Sequence, residues 1–137
     1  MIDYEGIIFN RCCKALRDEF GAENIYITGA ELLDTPPRFP AVSVIQIDNR
    51  VNLDGSTLNR IEKAVKSTFE VQAYSNLDAG GGDEVRKIVE IVDSVLSDNG
   101  YYRIYNKPLL NVADYTITRR VAQWRCDVLT ETFQFKE

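Results

Sequence analysis

FEVQAYSNLDAGGGDEVRKIVEIVDSVL, residues 69–96, changes its hydrophobic period halfway along. Over residues 63–75, Val65, Ser67, Phe69, Val71 and Ala73 fall on one side of an extended chain. Lys66, Thr68, Glu70, Gln72 and Tyr74 fall on the other, which is the period of a long half-buried strand. Past the three glycines Gly80, Gly81 and Gly82, the period becomes helical. Val85, Ile88, Val89, Val92, Val95 and Leu96 form a continuous apolar stripe, and Glu84, Arg86, Lys87, Glu90 and Asp93 stay out of it. Asp83 is placed to cap this helix, and Asn99-Gly100 to stop it.

A glycine-rich turn between a strand and a helix raises the possibility of a phosphate loop. Such a loop needs Lys-Ser or Lys-Thr at the helix start, to hold the phosphates and their magnesium ion. Here the helix opens on Asp83-Glu84. Two carboxylates suit the positive end of the helix dipole and repel a phosphate from the same place. The dinucleotide spacing G-x-G-x-x-G is absent as well. The glycines therefore read as a flexible strand-to-helix joint.

Working outward, residues 3–19 form an amphipathic helix. Asp3 is placed to cap it, and Gly21 suits its C-terminal stop. Ile8, Cys12 and Leu16 make one apolar row, and Phe9, Cys13 and Phe20 the next. NIYITG (24–29) is a short strand. ELLDTPPRFP follows as a loop, because three prolines in five residues deny backbone donors. AVSVIQID (41–48) is a second strand, and residues 49–62 are a polar, turn-rich loop. After the second helix, YYRIYN (101–106) is a strand and KPLLNVAD a loop. YTITRRVAQWRC (115–126) is another long alternating strand, and TETFQF (130–135) returns as a last one. The order α-β-β-β-α-β-β-β does not alternate helix with strand throughout, which argues against a doubly wound parallel sheet. It predicts an α+β fold: two helices packed on a mostly antiparallel, strongly twisted sheet with long loops.

The 137 residues predict a single domain spanning 1–137, large enough for a core without disulfide staples. Hydrophobic residues at 45% and charged residues at 27% argue against disorder. No apolar run approaches a membrane span, and the first residues lack the pattern of a secretory signal, so a cytoplasm is the expected setting. The net charge of −5, with scattered Lys and Arg, works against tight binding to a phosphate backbone. An acidic protein can still sit beside a nucleic acid while leaving it mobile.

Catalytic constellations are thin. The chain has no histidine, which removes the Ser-His-Asp triad and the Cys-His pair. Its three cysteines, Cys12, Cys13 and Cys126, do not have the spacing of a zinc site or a disulfide framework, and read as buried thiols. DNRVNLDG (48–55) lacks the regular ligand spacing of a calcium loop and reads as a turn. Trp124 shares a face of its strand with Arg120, while Arg119 and Arg125 lie on the other. That distribution suits a protein interface or a partial core better than a base-stacking platform. No cofactor is expected.

The stretch from residue 39 to 125 resembles the tail terminator, or tail completion, proteins of long-tailed bacteriophages. The resemblance rests on FPAVSVIQIDN, a polar loop, FEVQAYSNL, a glycine-bearing joint with an amphipathic helix, GYYRI, and NVADYTITRRVAQWRC. These signals cover about two-thirds of the chain and are not catalytic signatures. The resemblance implies a structural virion protein without an active site. It would assemble in the host bacterial cytoplasm into a ring, commonly a hexamer, on the head-proximal end of the tail tube. There it would stop tube growth, meet the tube protein on one side and the head-side connector on the other, and let DNA pass without specific binding. The alternatives are a head-completion or neck adaptor protein and, from another class, a small enzyme or a nucleotide- or nucleic-acid-binding module using the loop at 76–82. Ring contacts would join two different patches. The candidates are the 49–62 loop, with Arg50 and Asp54, and the strand carrying Arg119, Arg120 and Trp124, with Trp124 as the aromatic anchor.

Overall fold

A computed structural model describes residues 4–30, 36–51, 64–110 and 116–130. Two helices, α1 (Glu5–Phe20) and α2 (Gly81–Asp98), pack on one face of a five-stranded sheet. The strands are β1 (Tyr26–Thr28), β2 (Ala41–Val51), β3 (Ala64–Ser75), β4 (Tyr102–Leu110) and β5 (Thr118–Thr130), in the spatial order β1-β2-β3-β5-β4. β1 runs parallel to β2, and every other pair is antiparallel. This is the α+β arrangement that the alternation of periods predicts.

The core is built by the residues the periods single out. From β3 come Phe69, Val71 and Ala73; from β2, Val42 and Val44; from β5, Ala122, Trp124 and Cys126. Above them lie the stripe of α2 (Val85, Ile88, Val89, Val92, Leu96) and the row Ile8, Cys12 and Leu16 of α1. Each large aliphatic side chain buried there contributes roughly 1.5–3 kcal/mol of transfer free energy. Tyr101 closes one end. Its ring meets Phe69 edge-on at 5.6 Å, and its hydroxyl donates to Ser67 Oγ at 2.8 Å. The buried phenol thus has the partner its burial demands. A smaller cluster of Ala41, Tyr74 and Ile117, with Tyr26 and Phe39 against it, forms separately. Ala41 and Tyr74 are cross-strand partners on the face away from the helices.

The three glycines have three different roles. Gly80 is the N-cap residue of α2 at φ 85°, a left-handed conformation that glycine adopts without a Cβ penalty. Gly81 is buried, and a Cβ there would sit 2.9 Å from Thr118 Oγ1 and 3.5 Å from Ser75 Oγ. Gly82 is exposed, with nothing within 4 Å of such a Cβ. The joint is therefore packed at Gly81, where the sequence suggests only a flexible link: the helix start presses on the beginning of β5. Asp83 is not the cap. It lies with Glu84 in the first turn, where both carboxylates face the positive end of the helix dipole. Ser75 at the end of β3 donates to Glu84 at 2.7 Å and accepts from the Leu77 N–H at 3.3 Å, which ties strand, turn and helix together.

The helix ends follow local rules. α2 closes with the Tyr101 N–H on Leu96 O at 2.9 Å and the Gly100 N–H on Ser97 O at 3.2 Å, with Gly100 at φ 88°. These two bonds are the Schellman closure of a helix. α1 ends at Gly21 (φ 90°), whose N–H donates to Arg17 O at 2.8 Å. At its start no side chain caps the N-cap residue Tyr4, and Asp3 lies outside the described residues.

Three strand boundaries differ from the sequence reading. β2 continues through Asn49, Arg50 and Val51, and a register shift between Gln46 and Asp48 keeps it paired to β3. β4 continues through Lys107–Leu110, which the sequence marks as a loop because of Pro108. An edge strand accommodates proline, since its missing N–H costs nothing on the unpaired side. β5 starts at Thr118 and runs to Thr130. The return strand expected at 130–135 lies outside the described residues beyond Thr130.

Candidate interaction surface

Cross-strand partners share a face of a sheet. Trp124 opposes Phe69 and Arg120 opposes Ala73, so both lie on the helix side of β5. Arg119, Val121, Gln123 and Arg125 lie on the other face, opposite Tyr74, Gln72, Glu70 and Thr68.

The assignment of Trp124 to a subunit contact is overturned. Its relative exposure is 0%, because α2 lies over this face of β5. Its indole N–H donates to Asp93 Oδ1 of α2 at 2.7 Å. The side chain is a core anchor with no surface for a partner. The sequence does show Arg120 sharing its face, but an arginine at one end of a row does not make the row exposed. Arg120 is half-buried and donates to Asn106 Oδ1 at 2.6 Å. Partial burial, and then the nearby Arg86 cation, lower its pKa from the ordinary value.

Arg50 lies in β2 with an exposed side chain and pairs with Asp48 at 2.7 Å within the same strand. Asp54 lies outside the described residues. Arg119 is the centre of a network that the sequence does not announce. Its guanidinium nitrogens Nε (at 3.1 Å) and Nη2 donate to Gln72 Oε1, and its plane lies 5.3 Å from the centre of the Tyr74 ring. The Tyr74 hydroxyl donates to the same oxygen at 3.0 Å. Gln72 Nε2 in turn donates to Glu70 Oε1 at 3.1 Å, and Gln123 Nε2 donates to Glu70 Oε2 at 3.4 Å. Two further cations lie over tyrosine rings on this face: Arg125 at 5.5 Å over Tyr102, with a 2.8 Å bond from Nε to the Tyr102 hydroxyl, and Lys107 at 5.1 Å over Tyr105. Desolvation, and then the Glu70 carboxylate, raise the Tyr105 pKa from its ordinary value. Among the described residues no helix covers this face, and the period-2 alternation of β3 and β5 was the signal for it.

The thiols are buried as the sequence suggests: Cys12, Cys13 and Cys126 all lie inside. Burial pushes the Cys12 thiol up to about 12 and the Cys13 thiol up as well. A thiol held protonated is neither nucleophile nor metal ligand. A cleft of about 440 Å³ between α1 and the end of α2 is lined by Arg11, Lys14 and Asp18 of α1 and by Val95, Asp98 and Asn99. Its cations and carboxylates are mixed in sign, and Arg11 donates to Asn99 Oδ1 at 3.3 Å. Among the described residues no three His, Cys, Asp or Glu side chains are placed to hold a metal ion, and no helix is long and apolar enough to cross a membrane.

No model of a protein family and no curated protein sequence matches this chain. Among solved structures it is similar in fold to a chain of the virion of a native gene transfer agent particle. The likeness covers 88% of this chain and 92% of that one, at 14% identity and a TM-score of 0.55. At that identity the shared property is the fold.

Proposed function

We propose that this chain is a structural component of a phage-like virion and acts there as a tail terminator. In this reading subunits form a ring, commonly of six, on the head-proximal end of the tail tube. The ring stops tube polymerisation and offers its other side to the head connector, and DNA passes through it without sequence-specific contact. The observation that carries the reading is the fold likeness to a virion chain over nearly the full length of both. The sequence resemblance to tail terminators, found on the β2, β3, α2 and β5 segments, supports the finer role. The residues around the α2 start supply no phosphate chemistry to compete with it: Asp83 and Glu84 occupy the first turn, and Gly81 is filled against Thr118.

The test is electron microscopy of tail tubes assembled with and without the purified protein. Tubes assembled with it should carry a ring at one end and have a uniform length. Tubes assembled without it should run on. Binding to isolated heads but not to tube ends would move the chain to the neck-adaptor role. Binding to neither would remove the virion reading.

A further inference from the structure

The charge of this chain is divided between its two layers. Register places Arg50, Lys66, Lys107, Arg119 and Arg125 on the sheet face away from the helices, together with the carboxylates Asp48 and Glu70. Cations exceed carboxylates there, although the chain as a whole carries −5. α2 leans the other way: it carries Asp83, Glu84, Glu90, Asp93 and Asp98 against Arg86 and Lys87, with Glu84 and Asp93 turned inward to Ser75 and Trp124 and Asp83 paired to Arg86 at 3.7 Å. Of these carboxylates Asp83, Glu90 and Asp98 are exposed. Lys87 is already drawn to Glu19 of α1 at 2.5 Å.

Arg50 is paired with the Asp48 carboxylate at 2.7 Å, but three other cations of the sheet, Arg119, Arg125 and Lys107, are oriented by neutral groups. Arg119 is fixed by Gln72 and the Tyr74 ring, and Lys107 lies over Tyr105. Such contacts hold a cation in place without cancelling its charge. Exposed Tyr102 and Leu109 lie on the same face. Tyrosine and arginine are the residue types that carry most energy at protein interfaces.

We propose that this cationic sheet face docks on the acidic outer face of α2 of a second copy of the same chain. The contact joins two different patches. Repeated head to tail it closes a ring, whereas a patch meeting itself would stop at a dimer. Like charges oppose sheet-to-sheet and helix-to-helix pairing, so the charge division selects one register of neighbours over the others. The inference rests on the ring reading above and supplies its contact. Duplex DNA is the competing occupant of a cationic face with tyrosines. The carboxylates Asp48 and Glu70 and the apolar Leu109 within the face favour a protein surface.

A charge exchange tests this. Arg50→Glu with Lys107→Glu reverses the sheet face, and Asp83→Lys with Glu90→Lys reverses the helix face. All four residues are exposed, so none of the substitutions enters the core. By sedimentation at low ionic strength the wild type should self-associate, and added salt should weaken the association. Each double variant alone should associate at least ~10-fold more weakly. An equimolar mixture should restore association, because the reversed sheet of one variant then meets the reversed helix of the other, and the two native faces meet each other. The chain with all four substitutions should recover it too. The proposal falls if the wild type stays monomeric at every concentration, if either double variant associates like the wild type, or if the mixture fails to rescue. It also falls if the wild type holds a duplex oligonucleotide and Arg50→Glu with Lys107→Glu releases it. Tube-end microscopy is scored separately. Capped tubes without self-association would remove this contact and leave the terminator role. Rescue with bare tube ends would do the reverse.

Discussion

At the scale of single residues, the start of α2 allows a sharp comparison. Gly81→Ala would force a Cβ to 2.9 Å from Thr118 Oγ1, and a short β-branched side chain has little room to retreat. The variant should lose ~1–3 kcal/mol by urea unfolding, the usual penalty of overpacking. Thr118→Ala in the same chain should return part of it. Gly82→Ala, one residue on, meets open space and should gain up to ~1 kcal/mol by restricting the unfolded chain. If both glycine variants behave alike, the joint is not packed as described. Cys12 gives a second residue-scale prediction. Its thiol keeps its proton to about pH 12 in the folded chain, against an ordinary value of 9.0. Stability from that burial is complete below pH 9, where both states hold the proton. It is lost as pH rises from 9 towards 12, by up to ~1.4 kcal/mol per unit. Cys12→Ala should be less stable at pH 7, and the gap to wild type should narrow by ~1 kcal/mol at pH 10. A constant gap would contradict the assigned burial.

At the scale of elements, Trp124 shows what binds α2 to β5. The indole is fully buried, and its N–H meets Asp93. Trp124→Ala should cost ~3–5 kcal/mol, as large-to-small changes in a core do. Asp93→Ala should cost ~1–3 kcal/mol by leaving a buried donor without its acceptor, and Asp93→Asn, which keeps an oxygen, should cost less. Thermal or urea unfolding measures all three, and a Trp124→Ala chain as stable as wild type would put the side chain back on the surface. The elements themselves were legible wherever a period persisted. β3 and the stripe of α2 follow from Phe69, Val71, Ala73 and from Val85 to Leu96, because alternation and the 3.6-residue repeat each require one buried face. Boundaries were less legible where a local rule was outvoted by pairing. Pro108 reads as a breaker, yet β5 holds it in an edge strand, and Arg50 reads as loop, yet a register shift carries β2 past it. The identity of the buried face of β5 was also hidden. Both faces mix aromatic, aliphatic and arginine residues, so alternation gives two rows without saying which lies under the helix.

At the scale of the whole molecule, the candidate surface was legible only in part. Arg119 and Arg125 on one side of β5 could be read from alternation. Their tyrosine partners could not, because Tyr74 and Tyr102 lie far from them in sequence and meet them only through the order β3-β5-β4. That order also sets a timetable. β3 stands in the middle of the sheet, between β2, which precedes it, and β5, which begins more than forty residues later. A chain growing from its N-terminus can therefore pair β2 with β3 and then must wait, with the other edge of β3 open and the apolar stripe of α2 without Ala122 and Trp124 beneath it. Open edges and uncovered apolar stripes attract other chains. Ribosome-bound chains stopped before residue 118 should thus be protease-sensitive and prone to aggregate, and chains extended past residue 130 and clear of the exit tunnel should become resistant in one step. In a cell making many copies at once, the interval between translating residue 75 and residue 118 is when these chains are most exposed to one another.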